Sequence, residues 1–412
     1  MQTVNVAVMG HGVVGSGVVE VLLAHEESIA LKAKNKINVK YILDLREFPG
    51  LDYSDRFIKD FNLILKDESI KVVVEVMGGI NPAYEYVKAC LEAGKSVCTS
   101  NKELVAAHGA ELLKIAGEKN VNFLFEASVG GGIPVLRPIA QCLAANDLYE
   151  VFGILNGTTN FILTKMIKEN MAFDDALALA QQLGYAERNP SADVDGHDAC
   201  RKICILASLC FGRHVYPNQV RTEGITKITL SDVMYAGIAG YVIKLIGHSK
   251  LLDDGKISAD VYPALIPNDN QLAGVDDVFN AVMVRGDAVG DVLFYGRGAG
   301  KLPTASAVVA DVIDCVKHLQ ARKYLSWDDG DKDYVVDSKT VKTKLYVRAK
   351  VNDVIAAKAA VFAVLDEAEF IVGAEDNGEV AFITPAMVEQ ELTLAIESVK
   401  ELENPAILHV LN

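Results

Sequence analysis

The sequence is poor in the features that mark secreted and membrane-spanning proteins. Its seven cysteines include no C-x-x-C pair, and an odd number of scattered cysteines fits reduced thiols in a cytoplasmic enzyme better than a disulfide framework. The longest uncharged apolar run, residues 203–211, is about half the length that spans a bilayer. Because the first residues enter an apolar strand pattern without a basic segment or a cleavage site, we expect no secretory signal.

Positive charge is scarce as well. The chain has 40 Lys and Arg against 55 Asp and Glu, a net charge of -15, and no basic stripe, so nucleic acid is not an expected partner. With 412 residues, half of them hydrophobic and 23% charged, the composition is that of an ordinary globular protein of two or three domains. These counts predict a cytoplasmic protein with neither a membrane nor a nucleic acid as partner.

Strands and helices alternate in the first third of the chain. Residues 3–9 (TVNVAVM) are β-branched and apolar, and after a glycine turn residues 13–24 have helical periodicity. Alternation of this kind predicts a parallel, doubly wound sheet with helices on both faces, which makes residues 1–130 a dinucleotide-binding domain of the Rossmann type. Further strands are predicted at 38–43, 71–77, 96–100 and 121–127, and helices at 82–92 and 102–119.

The remaining chain predicts an α+β fold. Residues 131–302 form a second domain with helices near 174–183 and 198–211 and a strand-rich stretch at 224–295. A helix over 303–323, opened by Pro303, is expected to pack back on the first domain. The polar segment 326–340 is typical of a linker. A small α+β module follows at 341–412, with a strand at 343–350, a helix at 354–366 and a strand, helix and strand at 377–412.

Glycines give G-x-G-x-x-G directly after the first strand and directly before the first helix. Gly10 permits the tight turn, Gly12 lets a pyrophosphate approach the backbone, and Gly15 lets helix and strand pack closely. The helix that starts with Val13 and Val14 offers N–H donors and the positive end of its dipole to the phosphates. The turn therefore predicts a bound dinucleotide.

The choice between NAD and NADP stays open in the sequence. Asp44, at the end of the second strand, is placed to accept the ribose hydroxyls and favours NAD, because a carboxylate repels a 2′-phosphate. Arg46 follows two residues later, where it can receive that phosphate. The spacing from Gly15 to Asp44 is longer than usual, since AHEESIALKAKNK extends the connection.

Two charged residues follow strands of the first domain. Lys102 comes after the strand SVCTS with Asn101 as an expected N-cap, and a cation in the first turn of a helix opposes the helix dipole, which suggests a functional reason. Glu126 ends the strand NFLFEAS before the turn VGGGIP. Glu126 either holds a cation together with carbonyl groups of that turn, or is a hydrogen-bonded structural carboxylate.

Charged residues are also concentrated in residues 184–202. Asp198 and Lys202 are four residues apart and share one helical face, which by itself predicts an exposed ion pair. Because apolar residues such as Ile203 and Leu206 surround this helix, Lys202 is expected to face something other than bulk water. A lysine near a carboxylate and a second lysine can exchange a proton with an alcohol if burial or the like charge lowers the pKa of the lysine.

The chain resembles the homoserine dehydrogenase family along nearly its whole length. The matching segments stand in the family's order: VAVMGHGVVGSGV, TSNKELVA, FEASVGGGIPVLRPI, GILNGTTNFILTKM, LGYAERNPSADVDGHDACRKICILA and GAGKLPTASAVVADV. The resemblance implies reduction of L-aspartate 4-semialdehyde to L-homoserine with NAD(P)H, on the route to threonine and methionine. It also implies a homodimer or homotetramer.

The resemblance further implies a role for individual residues. Lys202 would be the acid/base lysine, with Lys102 as its partner at the substrate oxygen and Asp198 as an assisting carboxylate. Glu187 would bind the amino group of the substrate. The other expected substrate-binding residues are Gly157, Thr158 and Asp193; the cofactor-binding residues are Gly10, Gly12, Val13, Val14, Gly15, Asp44, Arg46, Ser100, Lys102 and Gly300; and a sodium ion would be held by Glu126 and the backbones of Val129, Gly131 and Ile133.

Two departures from the family pattern affect these expectations. Arg297 replaces the proline that many relatives have in a GPGAG run near the cofactor. The carboxy-terminal module resembles a shortened ACT domain, but VNDVIAAKAAVF stands where an Asp-x-x-Gly-Val turn usually contacts an amino-acid effector, so threonine feedback is not expected. The alternative functions are another Rossmann dehydrogenase of an amino-acid aldehyde or hydroxy acid, and a non-catalytic dinucleotide sensor.

Overall fold

The computed structural model describes residues 1–320, 325–374 and 377–411. The chain divides into two compact units, each built from three stretches of sequence. The first unit comprises Met1–Val151, Cys204–Pro217 and Val282–Asp331, and the second comprises Phe152–Ile203, Asn218–Ala281 and Lys332–Asn412. Among the described residues, every helix is too short or too polar to cross a membrane.

A six-stranded parallel sheet forms the centre of the first unit. Its strand order is β3-β2-β1-β4-β5-β6, so the order reverses between β1 and β4, and this confirms the predicted doubly wound fold. Apolar runs such as VVV in β4 are buried because helices cover the sheet. The elements are β1 Thr3–Met9, α1 Val13–Ala24, α2 Glu26–Ala33, β2 Lys36–Leu43, β3 Phe57–Ile58, α3 Asn62–Lys66, β4 Ile70–Glu75, α4 Ala83–Glu92, β5 Ser96–Thr99, α5 Lys102–Glu118 and β6 Phe123–Leu124.

The long connection before Asp44 contains the helix α2, which the sequence analysis did not predict. Glu26 and Glu27 occupy its first turn, where negative charge is favourable, and Ile29, Ala30 and Ala33 are buried. Because α2 accommodates the extra residues, β2 still ends directly before Asp44. The unusual spacing therefore leaves the carboxylate beside the glycine turn.

The strand expected at residues 121–127 is much shorter in the structure. β6 keeps only Phe123 and Leu124, which pair with Val97 and Cys98 of β5. The chain then turns at Glu126–Ser128 into a 3-10 helix. The side chains of residues 121–128 are all buried, so the apolar pattern was a signal of burial rather than of an extended strand.

The rest of the chain contributes a second, mixed sheet and its helices. Within the second unit the strands follow the order β9-β10-β17-β13-β15-β14, with β8 beside β10 and β16 beside β13. β9 and β10 form a long antiparallel hairpin, and β17 runs parallel to β10. The elements are β7 Leu148–Ile154, α6 Gly157–Glu169, α7 Phe173–Gln182, α8 Ser191–Val194, α9 His197–Phe211, β8 Arg221–Thr222, α10 Leu230–Ile238, β9 Tyr241–Leu251, β10 Ile257–Pro267, β11 Phe279–Gly286, β12 Gly290–Arg297, α11 Lys301–Lys317, β13 Lys342–Lys350, α12 Val354–Val364, β14 Glu369–Phe370, β15 Glu379–Ile383, β16 Met387–Val388, α13 Glu389–Ser398 and β17 Glu403–Val410.

Helices α10 and α11 also differ from the sequence-based expectation. The stretch predicted to be strand-rich contains α10, whose start is fixed by a capping box in which Thr229 and Asp232 bond each other's backbone N–H groups. The helix expected at 303–323 begins earlier, at Lys301, with Pro303 inside its first turn, and ends at Lys317. Residues 321–323 of that prediction lie outside the described residues. α11 packs against α1 and α2 in the first unit.

The segment expected as a linker is anchored to the protein. Trp327 is buried and its indole N–H donates to Nδ1 of His214 over 2.9 Å, in the first unit. Tyr334 is also buried, and its carbonyl oxygen accepts the N–H of Ile257 in the second unit. The polar composition and the lack of periodicity gave no indication that this segment is held in place. A single buried aromatic side chain is enough to fix it.

The carboxy-terminal module has an apolar core and shares a sheet with the hairpin of the second unit. Its core includes Val347, Val361, Phe382 and Leu392, contributed by strands and by both helices. β17 pairs with β13 of the module on one side and with β10 on the other. The module is therefore a continuation of the second unit's sheet.

Candidate active site

The glycine turn at the carboxyl end of β1 has the geometry that a dinucleotide requires. Gly10 has a φ of +99°, which favours glycine, and Gly12 is the N-cap of α1. A Cβ atom at Gly15 would lie 2.0 Å from the carbonyl oxygen of Gly10, whereas a Cβ at Gly12 would meet no protein atom within 4 Å. Gly15 is therefore needed for close packing, and the open space at Gly12 fits a pyrophosphate that approaches the backbone.

The Asp44 carboxylate is held by Arg46 and by the glycine turn. Its Oδ2 accepts the backbone N–H of His11 over 2.8 Å and Nη2 of Arg46 over 2.8 Å. Its Oδ1 accepts both the backbone N–H and Nε of Arg46. These contacts, the Arg46 guanidinium above all, hold the pKa of Asp44 well below its usual range. The side chain of Arg46 remains 62% exposed.

The other expected cofactor residues lie at the starts of helices or beside the glycine turn. Val13, the first residue of α1, is exposed, and Val14 follows it. Lys102 is the first residue of α5, directly after Ser100 and the N-cap Asn101, whose Oδ1 accepts the N–H of Leu104. Gly300 is the N-cap of α11, with a φ of +127°.

Glu126 is buried and its carboxylate accepts three backbone N–H groups. Oε1 accepts those of Val135 and Leu136, at 2.6 and 2.8 Å, and Oε2 accepts that of Arg137 at 2.8 Å. These bonds satisfy the carboxylate, which is the arrangement of a structural glutamate. The loop that would complete a sodium site follows: Val129 and Ile133 are buried and Gly131 has a φ of +57°.

A second buried carboxylate lies beside Glu126. Asp311 of α11 accepts the backbone N–H of Glu126 over 2.9 Å and forms an ion pair with Nη2 of Arg137 over 2.6 Å. Burial, with a contribution from Glu126, raises the pKa of Asp311 to about 8, and Arg137 opposes this. The described residues contain no cluster of three or more His, Cys, Asp or Glu side chains suited to a metal ion.

The lysine predicted to carry acid/base chemistry is buried in the second unit. Nζ of Lys202 lies 2.8 Å from Oδ2 of Asp198, and both side chains are 9% exposed. Nζ also donates to the carbonyl oxygen of Leu155 over 2.7 Å. Two of the three N–H donors of the ammonium group are thus directed at the protein. The pair is buried and hydrogen-bonded, unlike the exposed i,i+4 pair that spacing alone predicts.

Asn156 joins this pair to Asp193. Its Nδ2 donates to Oδ1 of Asp193 over 2.7 Å and to Oδ2 of Asp198 over 2.9 Å, while its Oδ1 accepts the N–H of Thr159 and so caps α6. Sequence reasoning missed Asn156. The available signal was its place directly before the α6 helix, where an asparagine is a good N-cap.

The remaining predicted substrate residues surround the start of α6 or lie on a loop. Thr158 donates its hydroxyl to the carbonyl oxygen of Tyr185 over 2.7 Å. A Cβ atom at Gly157 would come within 2.8 Å of the carbonyl oxygen of Val278, so the backbone is closely packed there. Glu187 is exposed on the loop between α7 and α8, whereas Lys202 and Asp198 are buried.

A parallel sheet with this glycine turn defines a dinucleotide-binding protein, and the buried lysine–carboxylate pair is suited to proton transfer at an oxygen; the class is that of the NAD(P)-dependent oxidoreductases. The sequence model described as homoserine dehydrogenase, NAD binding domain, matches residues 10–126. The model described as homoserine dehydrogenase matches residues 134–313. The chain belongs to the homoserine dehydrogenase family, and neither alternative function is favoured.

Individual relatives agree with this placement. The chain is 40% identical over 420 residues to a homoserine dehydrogenase of Pseudomonas aeruginosa, covering 98% of this chain and 96% of the relative. A crystal structure of a homoserine dehydrogenase from Thiobacillus denitrificans has a TM-score of 0.93 at 34% identity and covers 100% of this chain and 99% of that one. A hyperthermophilic archaeal homoserine dehydrogenase mutant in complex with NADPH has a TM-score of 0.65 at 28% identity, covering 76% of this chain and 98% of that one.

Proposed function

We propose that the protein catalyses the NAD(P)H-dependent reduction of L-aspartate 4-semialdehyde to L-homoserine. The observation that carries this proposal is the buried pair of Lys202 and Asp198 in a chain of the homoserine dehydrogenase family. An ammonium group and a carboxylate that are both shielded from water serve proton transfer better than an exposed pair.

Lys202 acts as the acid in this mechanism. When bound, the reduced nicotinamide supplies the hydride for the aldehyde carbon. Lys202 donates a proton to the oxygen that becomes the hydroxyl group, and its charge stabilises that oxygen as negative charge develops. Asp198 and the Leu155 carbonyl hold Nζ of Lys202 by two hydrogen bonds, which leaves the third donor for the substrate. From the family resemblance we assign two roles to Lys102, the first residue of α5: it contacts the cofactor, and it is the partner of Lys202 at the substrate oxygen.

Carboxylates provide the basis for recognising an amino acid. Asn156 donates one hydrogen bond to Asp193 and one to Asp198, which brings the two carboxylates together, and Lys202 pairs with Asp198. We assign Glu187 to the amino group of the substrate, and Gly157 and Thr158 to the wall of the pocket.

The proposed reaction is tested by incubating aspartate semialdehyde with NADPH and identifying the product by mass spectrometry. Homoserine is the expected product, and an unchanged semialdehyde would favour a rival dehydrogenase reaction.

We propose that NADP(H) is the preferred cofactor. The hydrogen bonds from His11 and Arg46 occupy both oxygens of Asp44, so this carboxylate has little capacity left for two ribose hydroxyls. The exposed guanidinium of Arg46 is a good partner for a 2′-phosphate. The archaeal relative in complex with NADPH is consistent with this preference.

Substitution of Arg46 tests the preference. In Arg46→Ala we expect KM for NADP⁺ to rise by ~10-fold or more, because a charge-assisted hydrogen bond is worth about 1.5–3 kcal/mol. KM for NAD⁺ should stay constant or fall, since Asp44 is released to accept ribose hydroxyls. Lys36→Ala is the matched control, because Lys36 is an exposed cation at the first residue of β2, the strand whose other end directly precedes Asp44. Equal changes of KM for both dinucleotides in Arg46→Ala would refute the assignment.

Sodium binding by Glu126 and the backbones of Val129, Gly131 and Ile133 stays a prediction of the family resemblance. A carboxylate and carbonyl groups are ligands that hard cations accept, but the three N–H bonds to Glu126 satisfy the carboxylate without an ion. If sodium is bound, activity should be higher in sodium chloride than in choline chloride of equal ionic strength. Identical rates in the two salts would leave Glu126 a purely structural role.

Assembly, location and regulation are proposals as well. We propose a homodimer or homotetramer in the cytoplasm, with residues 341–412 as a module for assembly. The module lacks the usual effector turn and continues the sheet of the second unit.

A further inference from the structure

A fully buried carboxyl group ends β4 in the first unit. Glu75 has no exposed surface, and its Oε1 accepts the N–H groups of Met77 over 2.8 Å and Gly78 over 3.3 Å. Its Oε2 accepts the hydroxyl of Thr99, the last residue of β5, over 2.6 Å. A carboxyl group is costly in a dry interior unless it is hydrogen-bonded, and these donors provide the compensation.

The hydrogen bonds continue from Glu75 into a closed ring. The hydroxyl oxygen of Thr99 accepts the N–H of Asn101 over 2.9 Å. The amide Nδ2 of Asn101 donates to the carbonyl oxygen of Gly79 over 2.6 Å, which returns to the loop that Glu75 holds. The same asparagine caps α5 through its Oδ1. The ring thus connects the loop after β4, residues 77–79, with the first turn of α5.

Both ends of this ring border parts already assigned to the reaction. The loop after β4 lies against the glycine turn, since a Cβ atom at Gly10 would meet the carbonyl oxygen of Val76 at 3.0 Å and the nitrogen of Met77 at 3.1 Å. At the other end, Asn101 directly precedes Lys102, the first residue of α5. A shift of either loop would therefore move the glycine turn relative to Lys102.

We infer that Glu75 is a positioning residue, whose carboxyl group acts through Thr99 and Asn101 to fix Lys102 relative to the glycine turn. This inference rests on the proposed function, because it assumes that Lys102 serves the hydride-transfer reaction. Geometry of this kind has large kinetic effects: a misplacement of about 1 Å far from the chemistry can cost ~100-fold in rate.

The chemistry of the ring explains why an acid stands at position 75. The Thr99 hydroxyl and the N–H groups of Met77 and Gly78 donate to this side chain, and a carboxylate has acceptors only. Burial raises the pKa of Glu75, and the hydrogen bonds from Thr99, Met77, Gly78 and the Asn101 side chain oppose the rise. A glutamine has a single acceptor oxygen, so its amide N–H₂ would face either the Thr99 hydroxyl or the backbone N–H groups. The ring cannot close in the same way with glutamine.

Two substitutions break the ring at different points. Glu75→Gln changes its centre, and Thr99→Val removes the hydroxyl with little change of volume. For both we expect kcat for homoserine oxidation to fall by ~10-fold or more, because the rate depends strongly on the placement of the reacting groups. KM for homoserine should change by less than about 3-fold, since the loss concerns geometry in the transition state. The double variant should be no slower than the slower single variant, because both lie in one network.

Matched variants separate positioning from stability. Thr99→Ser keeps the hydroxyl that Thr99→Val removes, and it should keep most of the wild-type kcat. Ser96→Ala removes a buried hydroxyl at the other end of β5, which accepts the N–H of Asn122 over 3.1 Å, and should lower the Tm without changing kcat. Rates are divided by the concentration of cofactor-binding sites, measured by titration, so that unfolded protein does not count.

The outcomes distinguish this inference from the proposed function. Wild-type turnover of homoserine together with slow Glu75→Gln and Thr99→Val variants supports the inference. If both variants turn over at the wild-type rate per binding site and only their Tm falls, Glu75 is structural and the inference is wrong, while the proposed function stands. If Glu75→Gln does not fold, the comparison of Thr99→Val with Thr99→Ser decides. A wild-type protein without homoserine turnover would overturn both.

Discussion

Replacement of Lys202 by alanine is expected to lower kcat by ~10²- to 10⁴-fold, the usual contribution of a positioned general acid. The variant removes the ammonium group that pairs with Asp198 over 2.8 Å. The Kd of the cofactor should change little, because the glycine turn belongs to the first unit and Lys202 to the second. Stopped-flow and steady-state rates of homoserine oxidation measure the effect.

Two further variants establish that the effect is chemical. Lys202→Arg keeps the positive charge but holds its proton too firmly to exchange it, so kcat should remain low. Lys165→Ala removes a lysine of α6 that also pairs with a carboxylate at i+4, Glu169. The side chains of this pair are 20% and 48% exposed, so the pair is more open to solvent than that of Lys202 and Asp198, and kcat should stay within about 2-fold of the wild type. Wild-type turnover in Lys202→Ala would remove Lys202 from the mechanism.

The second large effect is expected for Gly15→Ala. The new Cβ atom would lie 2.0 Å from the carbonyl oxygen of Gly10 and 2.9 Å from its carbonyl carbon, and backbone atoms cannot move aside as a flexible side chain does. The turn between β1 and α1 must open, at a cost of ~1–3 kcal/mol for an overpacked site. We expect a lower Tm and a Kd for the dinucleotide that is raised by ~10-fold or more, since the phosphate contacts of the helix N-terminus are displaced.

Gly12→Ala is the matched control for this change. Its Cβ would meet no protein atom within 4 Å, so the Tm of the cofactor-free protein should stay close to that of the wild type. The Kd of the dinucleotide should nevertheless rise, because the methyl group occupies the space through which the pyrophosphate approaches the backbone. Calorimetry of both variants with and without cofactor would show the contrast. Unchanged cofactor binding in Gly12→Ala would contradict the proposed path of the pyrophosphate.

Periodic and short-range patterns explain why much of the fold was predictable. The bounds of β1 and α1 agree with the prediction, since a β-branched run, a glycine turn and a mostly apolar run of helical periodicity follow each other without interruption. The late position of Asp44 was less certain, because nothing in the spacing shows whether the extra residues form α2 or a loop. The hydrogen bond from Trp327 to His214 could not be predicted either, since it joins residues that are far apart in the chain.

The candidate site was predictable in its charged residues but not in the groups that hold them. Spacing placed Asp198 and Lys202 on one helical face, yet only the structure shows that the pair is buried and that Asn156 bridges it to Asp193. A role for Glu75 could not be predicted from the sequence, for a related reason. An acid at the end of an apolar strand carries no signature of its own, and its ring of hydrogen bonds joins residues from two separate strands and loops.

The most direct test of the account is the oxidation of L-homoserine by the wild-type protein, followed through the absorbance of the reduced nicotinamide. We predict homoserine-dependent reduction of the dinucleotide with a higher kcat/KM for NADP⁺ than for NAD⁺, and full activity when millimolar threonine is added. A hydroxy acid of the same length that lacks the amino group should be a poor substrate. No homoserine-dependent signal with either dinucleotide would contradict the central claim.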